Sequence, residues 1–212
     1  MVEVKNTEVF GLERALKAVR NSFTTTRINT TAEFKDEEDR DKAFKRGHIL
    51  GANNDPHQSH DAYLKGIDVY FDIKYEQYWT PEFQRYKFVD IIMSPSKMHK
   101  LEKNALKPFE EFKKQFNKYV DDDSIRRCQE LAQEWEKAEG KDAKYEAFMR
   151  LVSNLPSGYE LEMTCKTNYL QLKTIYTQRT GHKLKEDWGA FLDWCDTLPH
   201  FKELTGCSRD TN

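Results

Sequence analysis

The sequence predicts an α/β (α+β) fold: a central sheet of a few strands with packed helices, helix being in excess. Residues 67–74 alternate strictly, with Ile67, Val69, Phe71 and Ile73 set against Asp68, Tyr70, Asp72 and Lys74, the period of a half-buried strand. Apolar stripes at helical spacing recur on both sides of that strand. Aromatic residues make up 13% of a chain that is only 38% hydrophobic and 33% charged, so large rings must supply the core.

In chain order, Leu12, Ala15, Leu16 and Val19 form the first stripe, opposite charged residues, and predict a helix after Gly11. Residues 24–46 are polar, a Thr-rich run followed by KDEEDRDKAFKR, and a mobile loop with a short exposed helix is expected over 24–51. After the strand, Thr80, Pro81 and Glu82 read as N-cap, first-turn proline and an acid near the positive helix end, opening a short helix to about Phe88. Residues 97–118 carry seven basic and three acidic side chains and residues 119–146 five and nine, so segments of net +4 and −4 complement each other around a helical insertion at 100–141. Asp123 or Ser124 caps a helix to about Lys137, Gly140 breaks it, and 142–152 forms the next. Leu155, Pro156, Ser157 and Gly158 make a turn. Tyr169, Leu172, Ile175 and Tyr176 mark a helix ending near Arg179, and Trp188, Phe191, Leu192 and Cys195 mark the last one. With no repeat and no change of composition, 1–204 reads as a single domain and 205–212 as a disordered tail.

Several function classes are disfavoured. A formal net charge of −2 and a pI near 6.3 provide no basic field for generic nucleic-acid binding. No stretch approaches the roughly 20 apolar residues of a membrane span, and residues 1–10 lack a signal-type apolar run, so a cytoplasmic protein is expected. Cys128, Cys165, Cys195 and Cys207 stand singly, which signals neither a disulfide framework nor cysteine-ligated zinc. His57 and His60, with Asp55 and Asp61, form an H-x-x-H cluster that solvated loop histidines explain more readily than a metal, and no metal is expected. Glycine-rich phosphate loops and a nucleophile elbow are absent.

One polar cluster remains: Glu82, Arg85, Tyr86, Lys87, Ser94, Ser96 and Lys97 after the strand, with Asn168 and Arg179 flanking a later apolar helix. Its guanidinium, ammonium and hydroxyl groups suit a phosphate, and equally a solvated basic face. At these residues the chain resembles the flavin-dependent thymidylate synthases, which methylate dUMP using FAD, methylenetetrahydrofolate and NADPH. IDVYFDIK is similar to their F-x-F-x-V-K strand, Glu82 to Asp90 falls on Q-W-x-R-H-R-x-x-S, and Ser94, Ser96, Met98 and His99 fall on E-x-S-x-R-Y. Upstream, ALKAVRNSF resembles A-x-R-x-S-Y, and His60 meets the first histidine of H-x-S-x-x-E-H. Downstream, LPSGYELEMTCKTNYLQLKTIYTQR resembles L-P … N-x-R-S-L-x-N-F-L-x-L-R, with Asn168 and Arg179 in register and Trp188 at a Q-W-E position. Residues 24–51 and 100–141 lie outside the resemblance, which extends to small synthase-related proteins of bacteriophages and their hosts.

The resemblance implies a thymidylate synthase-like fold and one-carbon transfer to dUMP or a related pyrimidine deoxynucleotide, in a bacterial or phage-infected cytoplasm. The alternative is a non-catalytic relative that binds or sequesters a nucleotide or engages a protein partner. Carried over residue by residue, Arg85, Tyr86, Lys87, Asn168 and His60 become flavin contacts, and Glu82, Ser94, Ser96 and Arg179 nucleotide contacts; no catalytic residue is assigned. FAD is the expected cofactor, with NADPH and methylenetetrahydrofolate if the protein is catalytic, and the expected assembly is a homotetramer. The chain departs from the family pattern: Tyr86 replaces a histidine, Lys87 an arginine, Lys65 a glutamate, Ser94 an acid, Met98 an arginine and Leu170 an arginine. Lysine loses the bidentate fork and methionine loses the donor altogether, so weaker flavin binding is expected. For Arg179 the expected anion is a nucleotide phosphate rather than Glu82, because Ser96 and Lys87 are expected at the same pocket.

Overall fold

The structure, a computed structural model, describes residues 1–23, 33–52 and 60–209. Its described strands are β1 (Glu3–Phe10), β2 (Asp68–Glu76), β3 (Asp90–Met93) and β4 (Glu160–Asn168), forming one antiparallel sheet in the order β1-β2-β4-β3. The α/β class is as the sequence predicts. β2 follows its alternation: Val69, Phe71, Ile73 and Tyr75 are buried, with Phe71 opposite Cys165 and Ile73 opposite Met163 of β4. The intervening Tyr70, Asp72 and Lys74 face the open side of the sheet, together with Thr164 and Lys166.

Two helices pack on the inner face. Helix α8 (Tyr169–Arg179) and helix α9 (Lys185–Asp196) bring Leu172, Ile175, Trp188, Phe191 and Trp194 onto the buried row of β2. The centre is aromatic. Trp79 stacks on Phe83 with centroids 4.5 Å apart and lies 4.6 Å from Trp188 and 5.9 Å from Phe191, while Phe71 meets Trp194 at 4.6 Å. Such offset and tilted pairs add to the burial of their area.

Helix α1 (Leu12–Val19) forms where its stripe predicts. The segment read as a mobile loop contains helix α2 (Glu37–Gly51), capped by Asp36, whose side chain accepts from the Asp39 N–H at 2.8 Å. Its buried residues are Ala43, Gly47 and Gly51, so it packs through small side chains and carries no apolar stripe to read. A Cβ on Gly47 would lie 3.2 Å from Leu204 and 3.3 Å from Leu16, which is why this helix approaches α1 and α10 (Phe201–Thr205) closely. Residues 24–32 of the predicted loop lie outside the described residues. Helix α3 (Thr80–Phe83) is shorter than expected. The chain leaves the helix after its C-cap, Gln84, and the Phe88 carbonyl accepts from the Thr167 hydroxyl of β4 at 2.9 Å.

Between β3 and β4 lie α4 (Leu101–Ala105), α5 (Phe109–Lys113), α6 (Asp122–Lys137) and α7 (Lys141–Ser153), so the helical stretch runs beyond residue 141. Gly140, at φ +84°, separates α6 from α7 as predicted. Leu101, Phe112, Ile125, Cys128, Leu131 and Leu151 form a second apolar cluster, and Leu161 of β4 packs against both clusters. The charge complementarity is realised in a Lys113–Asp122 pair at 2.7 Å.

The disordered tail predicted from residue 205 is corrected in part. Thr205 and Cys207 are buried, and Arg209 pairs with Asp193 and, at 3.0 Å, with Asp196. Residues 210–212 lie outside the described residues. All four cysteines are buried and free, and burial pushes the Cys128 thiol up to about 11 and the Cys165 thiol up to about 12. Native protein at pH 8 should therefore show almost no fast reaction with a thiol reagent, and four equivalents only after denaturation. A fast-reacting cysteine in folded protein would contradict this packing.

Candidate functional site

The buried stripe Leu172, Ile175 and Tyr176 fixes α8 against the core and sets Arg179 in its last turn, where a cation meets the negative helix end. There Arg179 faces α3. Its Nη1 donates to Glu82 Oε2 at 2.8 Å and its Nε donates to Tyr86 Oη at 2.7 Å. The guanidinium lies 4.4 Å from the Trp188 ring centroid and 5.4 Å from that of Tyr86, a cation between two aromatic faces. Trp188 Nε1 also donates to Glu82 Oε2, at 3.1 Å, and His182 Nε2 stands 3.4 Å from the same oxygen. Gly181, at φ +75°, turns the chain so that His182 reaches Trp188, while its Nδ1 accepts from the Leu184 N–H at 3.2 Å. That bond leaves Nε2 as the protonated nitrogen aimed at Glu82. Burial raises the Tyr86 phenol, and Arg179 opposes the shift.

The anion facing Arg179 in the structure is thus Glu82, the internal candidate, and not the nucleotide phosphate that was the expected partner. Of the sequence-predicted residues, Glu82, Tyr86 and Arg179 come together, joined by Trp188. Arg85 and Lys87 flank Tyr86, are exposed, and make no hydrogen bond or ion pair with the described residues. Asn168 is occupied structurally: its side chain caps α8 by accepting from the Gln171 N–H at 3.0 Å. The 11 residues of α8 put it roughly 16 Å from Arg179 along the helix axis. His60 is exposed, ahead of the turn at Asp61–Gly66.

Ser94 and Ser96 are not at this cluster. Both follow β3 on the open side of the sheet, where Ser94 lines a cavity of about 580 Å³ with Lys5, Asp72 and Thr164, and Ser96 an adjoining one of about 340 Å³. One protomer therefore splits the predicted nucleotide contacts between two faces of its sheet. Asp61, read with the histidine cluster, is engaged by Lys173, whose ammonium donates to it at 2.9 Å and to the Gly51 carbonyl at 2.7 Å. Asp55 and His57 lie outside the described residues, among which no metal-ligating cluster occurs. Sequence reasoning missed His182; the Gly181-His182 step after a helix ending in arginine was the available signal.

No protein-family model and no curated sequence matches the chain. Solved structures do. The flavin-dependent thymidylate synthase ThyX from Helicobacter pylori, complexed with FAD and dUMP, aligns with a TM-score of 0.66 at 18% identity, over 97% of this chain and 99% of that one. A second structure of that enzyme with FAD and dUMP gives 0.67 at 18% identity, over 97% and 96%. The UMP/dUMP methylase PolB from Streptomyces cacaoi, bound with 5-Br dUMP, gives 0.60 at 13% identity, over 99% and 96%. No helix among the described residues is long and apolar enough to cross a membrane. From end to end, then, the chain has the fold of the flavin-dependent thymidylate synthases.

Proposed function

We propose that this protein is a thymidylate synthase-like enzyme that binds FAD and transfers a one-carbon unit to dUMP or a related pyrimidine deoxynucleotide, working as a homotetramer. The observation that carries the reading is the whole-chain likeness of fold to an enzyme complexed with FAD and dUMP. The convergence of Glu82, Tyr86 and Arg179, all expected ligand contacts, supports it. Arg85 and Lys87 fit a flavin dinucleotide, since they are exposed cations beside that cluster with no counter-ion among the described residues. Asn168 and Tyr86 fit less well, because the Asn168 oxygen caps α8 and the Tyr86 hydroxyl already accepts from Arg179.

Bound FAD supplies hydride-transfer chemistry, with NADPH as the reductant and methylenetetrahydrofolate as the one-carbon source. The chain's own part is position and charge. Arg85 and Lys87 hold phosphate oxygens. Trp188 and Tyr86 fix the plane of the Arg179 guanidinium, and a nucleotide reaching Arg179 must compete with Glu82. The split contacts call for assembly: a homotetramer would have to bring the open face of one subunit's sheet to the Arg179 side of another. The edge strand β3 is suited to burial: Phe88, Ile91, Ile92 and Met93 are all exposed, a row of apolar side chains beside unpaired backbone.

Purified protein tests the reading. Added dUMP should raise the melting temperature by mass action, FAD should bind and be lost on dialysis, and light scattering should give a multiple of 25.1 kDa. Neither flavin nor nucleotide response, with a 25.1 kDa monomer, would refute it.

A further inference from the structure

Helix α7 carries two apolar stripes. Ala147 and Leu151 are buried and set the helix against α6. Tyr145, Phe148, Met149 and Val152, at i, i+3, i+4 and i+7, form the second. At roughly 100° per residue its centre lies about 130° around the helix axis from the first, so one neighbouring helix does not cover both. Tyr145 and Met149 are 66% and 38% exposed, and the half-buried Phe148 packs against neither apolar cluster among the described residues. The hairpin that presents them is held firmly. Gln129 of α6 donates to the Ala105 and Lys107 carbonyls at 3.1 and 2.7 Å, and Arg150 of α7 donates to Glu134 of α6 at 2.5 Å, so the stripe is in place before any partner arrives.

Its border is acidic. By the same spacing Asp142 and Glu146 run along one edge of the stripe, and Glu136 and Glu139 stand at the Gly140 end of the hairpin. These four make no ion pair or hydrogen bond with the described residues. Two of the nearby cations are already engaged, Lys144 at 5.0 Å from the Trp135 ring centroid and Arg150 on Glu134. That leaves Lys137 and Lys141 against four open acids.

We propose that this stripe docks a basic amphipathic helix of a partner protein, with its apolar face on Tyr145, Phe148 and Met149 and its lysines or arginines along Asp142 and Glu146. Anchors at this helical spacing suit the ridge of a second helix, and an exposed row of large apolar side chains marks an interaction surface. Charge selects the occupant. A second copy of this chain would bring the same open acids against one another, and an anionic membrane surface would be repelled. The surface goes beyond the function proposed above, since none of its residues is a flavin or nucleotide contact in that reading and β3 remains the edge suited to assembly.

Fluorescence anisotropy tests it with a labelled leucine–lysine peptide of about 15 residues, patterned as an amphipathic helix, and with a shuffled peptide of the same composition. The full chain is compared with Y145A/M149A and with D142N/E146Q. The patterned peptide should bind wild type with an affinity that falls as salt rises. It should bind Y145A/M149A at least about tenfold more weakly at an unchanged melting temperature, because the lost side chains face water in the free protein. D142N/E146Q should bind it more weakly at low salt, and the shuffled peptide should bind wild type far more weakly than the patterned one. Absence of binding to wild type, unchanged binding in either variant, or equal binding of the two peptides would overturn the proposal. A marked fall in the melting temperature of Y145A/M149A would overturn it too, by placing these side chains in the core. So would a lower mass of that variant in light scattering, which would make the stripe an interface between copies, or its loss of binding to phosphatidylserine vesicles, which would make it a membrane face. The expected binding needs neither dUMP nor FAD, so it stands or falls separately from the enzyme reading.

Discussion

Arg179→Ala is expected to lower the melting temperature by roughly 5 to 10 °C, from the loss of a charge-assisted pair of about 2 to 3 kcal/mol in a chain of this size. The side chains of Glu82 and Arg179 are 29% and 13% exposed, so water replaces the guanidinium only in part and Glu82 is left with the Trp188 and His182 N–H groups. The flat contact of Arg179 on Trp188 is lost as well. Calorimetry of Arg179→Ala, Glu82→Gln and the double variant provides the check. Removing the acid should recover part of the stability lost with the arginine, because the unpaired charge is then gone. An Arg179→Ala protein that melts as wild type would mean that the pair contributes nothing and that Arg179 is held for a ligand alone.

The larger effect should come from Trp79. It is fully buried and touches Phe83, Trp188 and Phe191, so Trp79→Ala opens a cavity at the meeting point of β2, α3 and α9 and should cost about 3 to 5 kcal/mol. Trp79→Phe should cost much less. The indole N–H is buried with no hydrogen-bond partner among the described residues, and phenylalanine removes that unmet donor while keeping a ring in the stack. Urea unfolding of the two variants should give midpoints far apart. Equal midpoints would show that the indole ring is not central to the packing.

The elements legible in the sequence were those that bury large side chains at a clean period. β2, α1, α8 and α9 announce themselves through Val69, Phe71, Leu16, Leu172 and Phe191. β1 was hidden because the register shifts between Lys5 and Glu8, with Asn6 at φ +50°, and the bulge breaks the alternation. β4 could have been found: Leu161, Met163, Cys165 and Thr167 alternate with polar residues, but the turn before it and the helix after it drew the assignment away. At the candidate site, the resemblance named Glu82, Tyr86 and Arg179 without showing that they would bind one another. No local pattern can give a contact between residues 97 positions apart. Nor could spacing reveal that Ser94 and Ser96 leave the cluster, since that depends on which side of β3 the chain emerges.

The second apolar cluster also bears on how the chain folds. Every residue that builds it lies between Leu101 and Tyr159, so its contacts close short loops, whereas pairing Phe71 of β2 with Cys165 of β4 must bring together distant parts of an unfolded chain. Closure entropy grows with the length of flexible chain enclosed, and collapse of the 101–159 segment shortens that length before β4 docks. The segment inserted into the sheet would then act as the early nucleus of the molecule. Substitutions at Leu131 or Leu151 should slow refolding, while substitutions at Val69 or Ile73 should mainly speed unfolding.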